Sequence, residues 1–147
     1  MPRFAFQHAV EIQAPAAKVW DVLTDFPRYG EWNGFVSECR CDLRPAGLIQ
    51  MTVHLGPKPQ KVEEVINAVQ PGVGFNYSMK PAPLGMLKSL RAHRIEPIAQ
   101  GKCRYVSEFE LTGPMALVLK LLLGKRLEAG FADMTQGIKR RAEALAR

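Results

Sequence analysis

Residues 19–36 read VWDVLTDFPRYGEWNGFV, with two Trp, two Phe and a Tyr set among acids, a proline and two glycines. Its first part is helical. Ala16, Val19, Trp20 and Leu23 recur at helical spacing, with Lys18, Asp21 and Asp25 on the other side. Pro15 sits where a first helical turn accepts it, and Pro27 stops the helix by pushing its predecessor out of the helical region. A short second helical turn over Arg28–Trp32 is expected before Gly34 breaks it.

Upstream, Phe4, Phe6, His8, Val10 and Ile12 alternate with more polar neighbours, the pattern of a half-buried strand. Downstream, Phe35, Cys39, Cys41 and Leu43 share one parity, and Ile49, Met51, Val53 and Leu55 repeat it after Pro45 and Gly47. Four more strand-like segments follow, over 60–69, 73–79, 89–97 and 103–111, punctuated by Pro71-Gly72, the 81–85 loop and Gln100-Gly101. Gly113-Pro114 ends this run. Phe131, Met134, Ile138, Ala142 and Leu145 then form a helical stripe, while residues 115–123 (MALVLKLLL) are apolar on nearly every side. Gly124 and Gly130 predict a kink or short break in this last helix.

The order β-α-α-β6-α gives one α+β domain over residues 1–147: a seven-stranded, curved antiparallel sheet around a long C-terminal helix. A helix held against a bent sheet leaves room for a cavity. Phe35, Met51, Phe75, Tyr77, Tyr105 and Phe109 are placed to line it, with Leu119 and Leu122 from the helix side.

The chain's 147 residues suffice for a real core, and 47% hydrophobic with 23% charged residues is an ordinary globular balance. The N-terminal residues carry no apolar signal region, and no run approaches the roughly 18 apolar residues of a membrane span. No transmembrane segment and a cytoplasmic location are expected. Three cysteines argue against a disulfide framework, and Cys39 and Cys41, on one strand face, would stand about 6.5–7 Å apart, at or beyond the usual limit for a bond. The net charge of +6 is uneven: residues 113–147 hold seven basic residues against three acids, and residues 80–94 hold Lys80, Lys88, Arg91 and Arg94 with no acid. Such asymmetry attracts acidic surfaces or forms a solvated helix side. No specific nucleic-acid partner is expected, and a homodimer is one way to cover residues 115–123.

Residues 11–36, EIQAPAAKVWDVLTDFPRYGEWNGFV, resemble the opening of the START-like (SRPBCC) superfamily, in particular its polyketide cyclase/dehydrase and lipid-transport branch. HRIEP (93–97), EFELTG (108–113) and GFADMTQGIKRRAE (130–143) are similar to that branch as well, in the same order. The resemblance implies a helix-grip fold with a deep hydrophobic cavity. It also gives the aromatic segment a role: two small helices close one end of the sheet. Trp20 would chiefly pack, and Tyr29, Trp32 and Phe35 would stand nearest the cavity mouth.

Cyclases and aromatases that resemble this fold use a few polar groups to polarise carbonyls and move protons. Arg91, His93, Tyr77 and Tyr105 are the candidates here. Arg91 and His93 share a strand face with Ile95, and strand parity leaves open whether that face points inward. Cys39, Cys41, Cys103, His54 and His93 fit no familiar zinc spacing, so neither metal nor cofactor is expected. No nucleotide or hydrolase motif is present. Glu63 and Glu64, like Glu108 and Glu110, read as solvent-side strand charges. The sequence therefore favours binding or carriage of a small hydrophobic ligand or lipid. The alternatives are a polyketide cyclase/dehydratase-type enzyme and a protein-interaction or chaperone co-factor module.

Overall fold

In the computed structural model, which describes residues 2–147, strand β1 (Arg3–Ile12) is followed by helix α1 (Ala16–Thr24) and a 3-10 segment (Phe26–Glu31). Six strands come next: β2 (Val36–Cys41), β3 (Leu48–Val53), β4 (Gln60–Gln70), β5 (Gly74–Met79), β6 (Lys88–Ala99) and β7 (Lys102–Thr112). A 3-10 turn (Pro83–Gly85) lies between β5 and β6, and helix α2 (Ala116–Ala146) ends the chain. The seven strands form one antiparallel sheet in the order β1-β7-β6-β5-β4-β3-β2. This is the helix-grip architecture. Register shifts at Val36/Glu38, Ile66/Ala68 and Pro97/Ala99 mark bulges, which bend and twist the sheet.

The pairing register assigns each residue to a face, because directly opposed residues on antiparallel strands point the same way. Phe6 pairs with Phe109, which pairs with Arg91, which pairs with Tyr77, which pairs with Ile66. All five lie on the concave face. So do His93 between Phe75 and Ser107, and Met51 between Cys39 and Val62. Helix α2 packs on this face along β1 and β7 and meets α1, while the first 3-10 segment closes the β2 end.

Two expectations need correction. The second helical turn is a 3-10 segment beginning at Phe26, not an α-turn from Arg28, because Pro27 fits the first positions of such a turn. Arg28–Asp25 pairing then ties it locally. The predicted break in the last helix is absent: α2 runs 31 residues without interruption. Of the two glycines, Gly130 is there for close approach. A Cβ on Gly130 would fall 2.2 Å from the ring of Phe35, whereas one on Gly124 would reach ordinary contact, 3.4 Å from Phe4.

Helix propensity alone would reward alanine by about 1 kcal/mol at either glycine. Gly124→Ala is accordingly expected to stabilise the protein. Gly130→Ala should destabilise it by about 1–2 kcal/mol, because overpacking against the buried Phe35 ring outweighs the propensity gain. Denaturant midpoints of the two variants check this, and equal signs would mean that Phe35 yields freely.

Candidate functional site

The interior strand β6 carries the unusual residues. Arg91 and His93 both point into the concave face, where they are only 2% and 3% exposed. The parity question left open by the sequence is thus answered: both lie inside. Arg91 Nη1 donates to Ser107 Oγ at 2.5 Å and, at longer range, to the carbonyls of Ala92 and Glu108, both 3.4 Å away. Its Nη2 meets Met134 Sδ at 3.7 Å, and its guanidinium carbon stands 4.3 Å over the Phe131 ring. Its Nε is buried without a partner. Among the described residues Arg91 has no carboxylate within ion-pair distance. A buried cation left this way carries a desolvation cost that hydroxyl, carbonyl and ring contacts offset only in part.

Beside it, His93 Nδ1 lies 2.5 Å from the Tyr105 hydroxyl. Burial, and then the charge of Arg91, hold the His93 pKa well below its usual 6.5, so the imidazole is neutral at physiological pH. Burial raises Tyr105 as well, which keeps its phenol protonated and available to donate to that nitrogen. Tyr77 stacks on Phe75 and donates to Met51 Sδ at 3.6 Å, and burial raises its pKa too. One fixed cation, a neutral imidazole and two protonated phenols therefore share one face. Such a set can donate to a carbonyl or hold an oxyanion.

A further group on this face reads as solvent-side in the sequence. Glu64 pairs with Ile49 and Met79, which places it on the concave face, whereas Glu63 points outward to Gln50 and Lys80. Burial lifts the Glu64 pKa to about 7, and the Arg91 charge opposes this only in part. The solvent-side reading of Glu64 is corrected accordingly. Its parity with Val62 and Ile66 was the available signal.

The other expected lining residues divide into three groups. Met51, Phe75, Tyr77 and Tyr105 are buried on the concave face, and Phe109 is half-buried there with Phe131 4.9 Å away. Phe35 rests edge-on against Phe131, 5.0 Å between ring centres. Tyr29 is closed in, its hydroxyl donating to the Leu23 carbonyl at 2.5 Å, and Trp32 packs across it at 5.0 Å. Leu119 is half-buried against the core. Leu122 is not part of this lining: it is 70% exposed, because the helical phase that turns Leu123 and Leu127 inward turns it out.

Openings lie at the rim. A cleft of about 560 Å³ lies between the β3–β4 loop and α2, lined by Phe35, His54, Leu55, Arg126, Gly130 and Asp133. A second, of about 470 Å³, lies on the other face of the sheet, against the outward rows Arg40-Gln50-Glu63 and Glu38-Thr52-Lys61. The deep open cavity that the resemblance implied is filled around Arg91 by Phe131, Phe75 and Tyr105, all nearly inaccessible. The path from the first cleft inward is short, since Phe35 touches Phe131 and Phe131 touches Arg91.

The three cysteines are free thiols, and burial pushes Cys39 up to about 12 and Cys41 to about 11. Among the described residues no three His, Cys, Asp or Glu side chains gather as a metal site. No helix among them is long and apolar enough to cross a membrane.

Residues 3–143 match the family described as "Polyketide cyclase / dehydrase and lipid transport". No curated protein matches the chain in sequence. Among solved structures, the Zhui aromatase/cyclase from Streptomyces sp. R1128 superposes with a TM-score of 0.81 at 14% identity, over 99% of this chain and 97% of that one. A START superfamily protein from Mycobacterium smegmatis gives 0.71 at 18% identity, over 96% and 98%. Norcoclaurine synthase from Thalictrum flavum, in complex with dopamine and hydroxybenzaldehyde, gives 0.69 at 16%, over 95% and 86%. At these identities the likeness is one of fold.

Proposed function

Because the chain belongs to the polyketide cyclase/dehydrase and lipid transport family, whose ligands are small and largely hydrophobic, we propose that it binds such a ligand with an electron-rich oxygen against Arg91. One observation carries this reading: a guanidinium buried among aromatic rings with, among the described residues, no carboxylate within ion-pair distance and its Nε unpartnered. An incoming carbonyl, phenolate or carboxylate would supply what the fold leaves out. The ligand's apolar body would part Phe35 from Phe131 and take over the contacts of Phe131 with Phe109 and Phe6. Access runs from the cleft beside Gly130.

Matched pairs of ligands test the idea. A naphthoic acid and its methyl-naphthalene counterpart, or a fatty acid and the corresponding alkane, would be titrated against Trp fluorescence. The oxygen-headed member of each pair is expected to bind at least about tenfold tighter, the yield of one charge-assisted hydrogen bond. Equal affinity within every pair would remove Arg91 from recognition.

The second reading is an enzyme of the cyclase/dehydratase type. It is favoured by Glu64, a half-buried carboxyl titrating near neutrality on the same face as the cation and the His93–Tyr105 pair. Arg91 would steady an enolate while Glu64 moved a proton.

A further inference from the structure

The outward side of the first turns of α2 is apolar where a surface helix is normally polar. Leu121 is 87% exposed and Leu122 70%, with Leu117 and Val118 about half in solvent on the same stripe. These four lie opposite Leu119, Leu123 and Leu127, which face the core, so the segment has two apolar sides and only one is covered. A second apolar protrusion stands beside it. Leu84, at the tip of the loop between β5 and β6, is 97% exposed and sits in the left-handed region at φ 58°. A backbone conformation unfavourable for leucine thus presents that leucine to solvent. The loop and the helix start are joined directly: Met115 N–H donates to the Met86 carbonyl at 3.0 Å, and Gly113 abuts the same carbonyl. Both apolar elements therefore project at one end of the molecule.

The charges nearest them are mostly basic, with Glu128 the acid that shares the Leu121–Leu122 surface and Lys80 paired to Glu63. Residues 80–89 and 113–127 contain Lys80, Lys88, Lys120, Lys125 and Arg126 and no acid. Lys125 continues the Leu117–Leu121 stripe one turn further on, and Lys120 lies over the Phe4 ring. Leucines at the tip with cations a turn behind match the layering of an anionic bilayer, with acyl chains beneath phosphate. A second copy of the chain fits less well, because a two-fold contact through this patch would set the cations of one copy against those of the other.

We propose that this end of the protein, Leu84 with the Leu117–Leu122 face of α2, docks on the surface of an anionic phospholipid membrane. The inference is independent of what the concave face binds. Docking would bring the helix start and the β5–β6 loop to the bilayer as a unit, without any segment crossing it.

Sedimentation with vesicles provides the test. The full chain is expected to sediment with phosphatidylcholine vesicles containing phosphatidylglycerol, and to be released as salt is raised. The double variant Leu121→Asp/Leu122→Asp should reduce binding at least about tenfold, since two side chains lose their apolar burial. Its circular dichroism and its response to a soluble hydrophobic probe should stay unchanged, because both positions are outside the core. Lys125→Glu/Arg126→Glu should weaken binding at low salt and matter less at high salt. Absence of sedimentation with the mixed vesicles would overturn the proposal, as would equal sedimentation with pure phosphatidylcholine. Concentration-dependent dimerisation that disappears in the leucine variant would give the patch to a second copy and overturn it too.

Discussion

Arg91→Met is expected to leave the protein at least as stable as the parent while lowering its affinity for an acid-headed hydrophobic ligand by about a hundredfold. Two terms set the stability side. Removing the guanidinium lifts the cost of holding a charge away from water with no counter-ion in direct contact, which amounts to several kcal/mol in buried sites. Against this, Ser107 loses its partner at 2.5 Å, a loss of about 1–3 kcal/mol. Methionine keeps an unbranched stem for Phe131 and Met134 to pack on, so little cavity follows. On the binding side, charge-assisted hydrogen bonds contribute about 1.5–3 kcal/mol each, and two of them give the hundredfold figure. Thermal melting and ligand titration of the same preparation separate the effects. A large fall in melting temperature with unchanged affinity would make Arg91 a strut rather than a recognition group.

Legibility of this chain in sequence was set by how cleanly each segment distinguished its two faces. The strands before residue 60 alternate well, and the turn residues between them are distinctive, so the element order followed. Strand β6 was ambiguous because its apolar Leu90 and Ala92 occupy the parity that faces out, while Arg91 and His93 occupy the parity that faces in. Hydrophobic patterning would turn that strand the wrong way. Its register decides the matter instead: Arg91 and His93 stand opposite Tyr77 and Phe75 of β5. In β4 the run Val62-Glu63-Glu64-Val65 puts one valine and one glutamate on each face, which is why Glu64 was read as solvated.

The helix failed differently. Gly124 and Gly130 are poor helix formers in isolation, but tertiary packing overrides propensity, and Gly130 is needed small so that Phe35 can seat. Leu122 sits in a segment too uniformly apolar to show a phase. The phase was available further on: the stripe through Phe131, extended back by Leu127 and Leu123, points Leu122 to solvent.

Glu64→Gln should gain stability relative to the parent as pH rises, by an amount on the order of 3 kcal/mol once the carboxyl has ionised. The parent's folded carboxyl holds its proton up to about 7, whereas in the unfolded chain it ionises near 4.5. The folded state therefore binds the extra proton between those values. Stability from this group is fully present below about 4.5 and is lost as pH rises through about 7. His93 acts in the opposite sense. Its folded pKa lies well below 6.5, so its contribution is present above the unfolded value and is lost as pH falls below 6.5. Glutamine at position 64 removes the first dependence and leaves the second. Urea midpoints of the two proteins from pH 4 to pH 8 should diverge steadily and level off above about 7. Parallel curves would mean that the Glu64 carboxylate is solvated in the folded state. Ligand binding should follow the same proton. While protonated, Glu64 can donate to an oxygen held by Arg91; once ionised, it repels an anionic head. Affinity of the parent for such a ligand should then fall above pH 7, by at most about tenfold per pH unit, and the Gln variant should show no such fall.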